Sequence, residues 1–229
     1  MAGFYVLGAI LIVFMPRTST ITVSTENPLQ NVTEGFKYIF NDKNLLFILG
    51  FTFAGVVLAM PFQQLMAVFV DKILFVEGHA VGARGMGILR SVSGIGGIAG
   101  SLVLASLPPK KRGLMMLLGT MLLGLSLIGF SFSKSWALSL GIMVIVGLGQ
   151  TARQTITNTL AQSYTNDRFR GRVMGVYDMQ MSFTGFGVYI AGLLTGIVSV
   201  EWAVAGFAII LVFICLMGLL LNRRIRELD

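Results

Sequence analysis

Long apolar stretches separated by short polar gaps dominate this chain. A helix needs about 20 residues to cross the hydrocarbon core of a membrane, and six of the seven stretches reach that length. None shows the period-two alternation of a membrane β-barrel strand. We therefore predict an all-α membrane protein with about seven transmembrane helices. The stretches span residues 1–15, 45–70, 81–107, 114–132, 136–160, 173–199 and 203–221.

The first stretch is the short one, and it begins at Met1. A secretory signal peptide would carry basic residues ahead of its apolar region, but here the positive residue, Arg17, follows it. We interpret residues 1–16 as the last helix of an N-terminal half that this sequence does not contain.

A polar linker is predicted over residues 17–44, rich in Ser, Thr and Asn in its first part. Phe36, Ile39 and Phe40 then recur at i, i+3 and i+4. That spacing places them on one face of a short amphipathic helix, which we expect to lie on the membrane surface.

Positive residues occupy alternate gaps. Three Lys or Arg residues lie in each of the gaps 16–44, 108–113 and 164–172 and in the tail 223–229, whereas the opposite gaps hold three in total. Because cytoplasmic loops carry the excess of Lys and Arg, we expect the tail in the cytoplasm and residue 1 outside. The chain is then a multi-pass protein of the inner (plasma) membrane, with a six-helix bundle over residues 45–222.

Composition excludes several classes of protein. Charged residues make up 12% of the chain, against about 25% in soluble proteins. The net charge of +7 comes from clusters at helix ends without interleaved aromatics, which suits anionic lipid better than nucleic acid. Cys215 is the only cysteine and His79 the only histidine. We expect no metal site, no cofactor, no catalytic residues and no enzymatic activity.

Polar residues inside the apolar stretches are the candidates for function, because a membrane helix turns them toward protein or water. Within 136–160, a polar stripe at helical spacing contains Gln150, Arg153, Gln154 and Asn158. We take Gln150, Gln154 and Asn158 as candidate residues of a substrate cavity.

Three further cavity candidates lie in earlier stretches. Pro61 removes a helical hydrogen bond and predicts a kink, and Gln63 and Gln64 follow it. Adjacent amides point in different directions, so at most one lines a cavity; alternatively both bond the backbone that the proline frees. Arg90 either reaches the outer interface or contacts an anion in a central cavity.

Arg153 and Asp178 are charges near the predicted cytoplasmic ends of consecutive, antiparallel stretches. We expect them to approach each other, either as a gate or protonation site or as a static ion pair. Arg170 and Arg172, beside Arg168, are further gate or ion-pair candidates. Cations are unfavourable at a helix start, so these three must gain from anionic lipid, from the preceding helix's carbonyls or from acidic partners.

Glycines recur inside the apolar stretches, where small residues let helix backbones approach closely. We expect helix packing, more than substrate contact, to explain them. They are Gly94, Gly96, Gly97, Gly100, Gly192 and Gly196.

Two motifs carry a resemblance to a known family. Arg170-Gly-Arg-Val-Met-Gly-Val-Tyr177 follows a helix that ends in Gln-Thr-Ala-Arg-Gln-Thr-Ile-Thr-Asn-Thr-Leu-Ala-Gln162, and Glu34-Gly-Phe-Lys-Tyr-Ile precedes the second stretch. Together they resemble the major facilitator superfamily, more narrowly its branch with enterobactin and macrolide exporters. The gap after Gly100 departs from that family's pattern, since it keeps the basic cluster and lacks the aspartate.

The resemblance implies a fold and a function. The seven stretches would be similar to helices six to twelve of a twelve-helix transporter, the chain being its second half. The expected function is export of small amphipathic compounds by alternating access, commonly driven by protons. The partners would be the lipid bilayer, a small-molecule substrate and a separate N-terminal half. The alternative is a non-transporting membrane scaffold or assembly subunit.

Overall fold

The computed structural model describes residues 28–76, 79–80, 82–108 and 110–221. The predicted helix over 1–16, the start of the linker and the tail 223–229 lie outside these residues. Within them the chain forms nine helices and one pair of two-residue strands, so the predicted all-α class is confirmed. The helices are α1 Pro28–Asn41, α2 Lys43–Ala59, α3 Pro61–Lys72, α4 Gly82–Ser106, α5 Arg112–Ser131, α6 Trp136–Ser163, α7 Arg170–Ser182, α8 Thr184–Ile197 and α9 Val200–Leu221.

The strands form a small antiparallel pair between α3 and α4. In β1, Phe75–Val76, and β2, His79–Ala80, the register places Phe75 opposite Ala80. The pair closes the turn between two membrane crossings and does not change the all-α architecture.

Five spans are long and apolar enough to cross a membrane: Lys43–Asp71, Gly82–Ser106, Arg112–Ser131, Trp136–Ser163 and Val200–Leu220. The first of them joins α2 and α3. Helices α7 and α8 together cover 170–197, which is about 42 Å of helix, long enough to cross the roughly 30 Å hydrocarbon core.

Helix α1 lies before this bundle, along α2 and α7. It covers the segment in which an amphipathic helix was expected, with Ile39 buried and Phe40 exposed. Asp42 separates α1 from α2 and caps α2, because its Oδ1 accepts from the backbone N–H groups of Asn44 (2.9 Å) and Leu45 (3.2 Å).

Two of the crossings are broken near their middles. The predicted kink at Pro61 is found, with the proline at the first position of α3. The break at Phe183, between α7 and α8, has no proline and was not predicted. The breaks are neighbours: a Cβ on Gly187 would lie 2.5 Å from the Val57 carbonyl oxygen, and the Phe53 and Phe183 rings meet edge to face at 5.2 Å.

The core of the bundle lies where α5 packs between α6 and α9, with α2 and α3 against them. Phe130 of α5 contacts the rings of Phe62 and Phe69 on α3. This packing holds α3 and α6 in place, and α4 packs along the other side of α6.

Candidate functional site

A cavity of about 560 Å³ opens between α3, α4 and α6. Its exposed wall residues include Arg90, Gly94, Ile98 and Gln154, so it is a cleft in one face of the bundle and not a closed chamber. Its lining consists of Phe62, Gln63, Met66, Arg90, Ser93, Gly94, Gly97, Ile98, Ser101, Met143, Val146, Gly147, Gln150, Thr151 and Gln154.

Four of the six predicted cavity residues meet here: Gln63, Arg90, Gln150 and Gln154. They come from three helices. The Arg90 Nη2 atom donates a hydrogen bond to the backbone carbonyl of Gln63 at 3.3 Å. This bond ties α4 to α3 just after its proline and turns the guanidinium toward the cavity.

The other two candidates lie elsewhere. Gln64 is exposed and does not line the cavity, in agreement with the expectation that adjacent amides diverge. Asn158 lies two turns beyond Gln150 and accepts a hydrogen bond from Gln162 on its own helix. The stripe on α6 therefore contributes to the cavity only in its first half.

Residues missed by the sequence analysis complete the polar lining. Ser93 and Ser101 follow Arg90 on one face of α4 at i+3 and i+11, and Thr151 lies beside Gln150 on α6. Only the glycines of this segment were considered in the sequence analysis, although the spacing of the two serines from Arg90 places them on the same face. Within the lining, Arg90 is the one charged side chain.

Arg90 lies in the first third of the candidate membrane span Gly82–Ser106. It is eight residues from the start of the 25-residue helix α4, about 12 Å along its axis. An arginine at the centre of a membrane helix costs roughly 2.5–3.5 kcal/mol on insertion scales. Facing a polar cavity lowers that cost and leaves the guanidinium available to an anionic group.

Glycines bring α4 and α6 into backbone contact beside the cavity. A Cβ on Gly96 would lie 2.0 Å from the Val144 carbonyl oxygen, and one on Gly147 would lie 1.9 Å from the Ser93 carbonyl oxygen. Gly97 and Gly100 also face α6, at Thr151 and Leu148.

The other glycines that were assigned to packing have no such neighbour. Space is open at the Cβ positions of Gly94, Gly192 and Gly196 among the described residues. Gly94 lines the cavity instead, because it does not lie on the side of α4 where Gly96 and Gly100 contact α6. The small-residue spacing on α4 therefore serves both packing and the cavity wall, whereas the expected packing of Gly192 and Gly196 is not found in this part of the chain.

Arg153 lies outside the cavity, although it belongs to the same stripe on α6. Its side chain is 1% exposed, and its Nε and Nη2 atoms have no hydrogen-bond partner. It points toward α2, where its Nη1 atom lies 3.0 Å from the position that a Cβ of Gly55 would take. Tyr177 of α7 lies within electrostatic range of the guanidinium.

The expected approach of Arg153 and Asp178 is wrong. No ion pair joins them, and Asp178 is exposed while Arg153 is buried. Successive residues of a helix point about 100° apart. Tyr177 lies on the buried face of α7 with Val173, Val176 and Gln180, so Asp178 turns outward.

The arginines at the start of α7 find different partners. Arg170 pairs with Asp167 at 2.7 Å, and Arg172 forms a salt bridge with Glu34 of α1. The guanidinium of Arg168 lies 5.7 Å from the centre of the Phe169 ring. Acidic partners therefore account for two of the three cations, and the Arg172 bridge holds α1 against α7.

In the part of the chain that the structure describes, no three His, Cys, Asp or Glu side chains are grouped so that they could hold a metal ion. The buried Cys215 is a free thiol within the apolar packing of α9.

Comparison with known proteins adds a family and a fold. Residues 1–186 match the family model described as Major Facilitator Superfamily. A solved structure of the E. coli fucose:proton symporter superposes with a TM-score of 0.68 at 11% identity, covering 92% of this chain. That match takes in 51% of the symporter, so the chain spans about half its length. None of the curated proteins matches the chain.

Proposed function

Since the chain belongs to the major facilitator superfamily of transporters, we propose that it forms one half of a secondary active transporter that exports small amphipathic compounds. In this proposal two six-helix bundles rock around a shared central site. The described residues supply one wall of that site, and a second bundle supplies the other.

The observation that carries the proposal is the cleft between α3, α4 and α6. It combines one cation, Arg90, with the amides of Gln63, Gln150 and Gln154 and an apolar surface that includes Met143. Such a mixed wall suits a compound with an apolar body and one polar or anionic group. Its open side is where a second bundle would close it.

Direction and energy coupling rest on the resemblance to exporters of the segments at 34–39 and 170–177. Proton coupling needs a group that gains and loses a proton, and no acidic side chain lines the described cavity. We propose that this group belongs to the other bundle. The basic gaps support an inner-membrane location with the tail in the cytoplasm.

A matched pair of dyes tests the cavity in cells of the source organism that lack the gene. One dye carries a carboxylate on an apolar fluorophore, and the other is its methyl ester. Loss of the gene is expected to raise accumulation of the carboxylate dye more than that of the ester, and the wild-type gene is expected to restore its export.

Variants separate transport from a scaffolding role. Alanine at Gln150 and Gln154 is expected to abolish the restored export, because both side chains face the cavity. If these variants restore every phenotype of the wild type, the alternative of a non-transporting scaffold is correct. Transport by the purified 229-residue chain alone would contradict the half-transporter proposal.

A further inference from the structure

We propose that the chain binds one anionic phospholipid in a groove along α7, on the face predicted to be cytoplasmic. The groove consists of two cavities. The first, the headgroup cavity, has about 420 Å³ and lies at the start of α7. The second, the acyl cavity, has about 330 Å³ and lies between α1, α2 and the end of α7. Both are lined by Val176 and Met179, so they adjoin along α7.

The headgroup cavity is basic. Arg168 and Arg172 line it, and no acidic side chain does. Arg172 keeps its bridge to Glu34, whereas Arg168 is exposed and has no acidic partner among the described residues. Basic pockets beside membrane helices at the cytoplasmic surface are typical sites for anionic lipid headgroups.

The floor of the headgroup cavity is glycine. Gly171 and Gly175 lie one turn apart on α7, and nothing occupies the space where their Cβ atoms would stand. A phosphate group therefore fits over the α7 backbone between the two arginines. Larger residues at these two positions would fill that space.

The acyl cavity is apolar. Aromatic and aliphatic side chains from three elements line it, including Phe36 and Phe40 of α1, Leu46 and Phe53 of α2, and Phe183 after α7. All five are exposed. The one polar side chain in the lining, Gln180, uses its Nε2 atom to bond the Leu49 carbonyl at 3.0 Å.

The order of the two cavities identifies the ligand. Helix α7 has 13 residues and is about 20 Å long. Its basic end follows the gap that is predicted to be cytoplasmic, which places that end at the membrane surface and the apolar end deeper. A phospholipid has the same polarity over a similar length, whereas free phosphate would need the headgroup cavity alone.

The experiment compares the purified chain in nanodiscs of phosphatidylcholine with the chain in nanodiscs that also contain phosphatidylglycerol. Lipid retained after transfer to detergent is measured by native mass spectrometry. Wild type is expected to retain one phosphatidylglycerol in preference to phosphatidylcholine. Equal retention of the two lipids would overturn the proposal.

Variants in each cavity sharpen the test. Arg168→Gln is expected to lower the affinity for phosphatidylglycerol about fivefold, the effect of one basic residue at a membrane surface. Gly50→Leu places a side chain in the acyl cavity, where the space at the Cβ position is open, and is expected to lower the affinity as well. The matched control is Arg170→Gln, since Arg170 is nearby and exposed but lies outside the groove; it should change affinity less than twofold.

Two results would contradict the lipid assignment. Equal losses for Arg168→Gln and Arg170→Gln would show diffuse attraction to charge and no defined site. Stabilisation of the chain by inorganic phosphate, together with no effect of Gly50→Leu on phosphatidylglycerol retention, would show a phosphate site without an acyl cavity. Each variant's unfolding temperature in phosphatidylcholine nanodiscs must match that of wild type, which the exposed Arg168 is expected to satisfy.

Discussion

Arg90 and Arg153 are the two arginines that lie inside apolar stretches, and they occupy opposite environments. Arg90 faces an open cleft with amides and hydroxyls around it. Arg153 is buried between α6, α2 and α7, with two of its nitrogens unbonded. A charge within an apolar stretch of this chain therefore lies either on a polar cleft, as Arg90 does, or buried in the protein with unbonded nitrogens, as Arg153 does.

The difference arises from what stands opposite each side chain. Across from Arg90, α3 presents a carbonyl and an amide after its proline. Across from Arg153, α2 presents Gly55, which leaves room for the guanidinium, but the Nε and Nη2 atoms find no acceptor there. Burying a charge without a partner costs several kcal/mol, so Arg153 reduces the stability of this conformation.

The largest effect is expected where α4 and α6 touch, beside the cleft that Arg90 faces. Gly147→Val would drive a side chain into the Ser93 backbone and force the helices apart. We expect a loss of about 3 kcal/mol or more, measured by thermal unfolding in detergent. Gly141→Val is the control on the same helix, because the space at its Cβ is open; equal losses in the two variants would disprove the close contact.

At the cavity, we expect Arg90→Gln to weaken export of the carboxylate dye about tenfold to hundredfold, since a hydrogen bond to a charged group is worth roughly 1.5–3 kcal/mol. Export of the methyl ester should change little. The unfolding temperature should change little, because the hydrogen bond from Arg90 to the Gln63 carbonyl is long and exposed. Arg84→Gln is the control, as Arg84 is also exposed on α4 but lies outside the cavity. Equal losses for both dyes would show that Arg90 does not contact an anion.

Much of this comparison could be predicted from the sequence, because it depends on periodicity. The apolar stretches predicted the crossings, Pro61 predicted one break, and the stripe on α6 separated Gln150 and Gln154 from lipid. The spacing could not show which residues of that stripe face the cavity and which are buried against other helices. That division depends on which residue of α2 faces each position, and Gly55 is about 100 positions away from Arg153 in sequence.

The errors have the same cause. Asp178 was expected near Arg153 because their helices are consecutive, but the rotation of α7 about its axis decides which of its residues turns inward. Tyr177 does so, packed among buried apolar residues. The break at Phe183 also escaped prediction, because it lacks a proline and depends on packing against the broken neighbour, α2 and α3.

Substitution of Arg153 should raise the free energy of unfolding, whereas substitution of a stabilising residue would lower it. Arg153→Met removes a buried, unbonded charge and keeps a long apolar side chain in its place. We expect a gain of about 1–2 kcal/mol in the free energy of unfolding, since replacing buried charges by apolar residues is often neutral or stabilising. Thermal unfolding of the purified chain measures it. A decrease in the free energy of unfolding would instead show that the guanidinium has a partner in this conformation.

The smallest effect is expected at Asp178. Its substitution tests separately whether Asp178 pairs with Arg153 and whether it takes part in transport. Because Asp178 is exposed and forms no ion pair with Arg153, Asp178→Asn should change stability by less than about 0.5 kcal/mol, as surface substitutions usually do. The double variant with Arg153→Met should then equal the sum of the single variants. A coupling free energy above about 0.5 kcal/mol between the two substitutions would show that the two side chains interact as an ion pair. If the coupling is absent and Asp178→Asn still alters the pH dependence of dye export, Asp178 acts in transport without Arg153, as a carboxylate facing the solution or the second bundle.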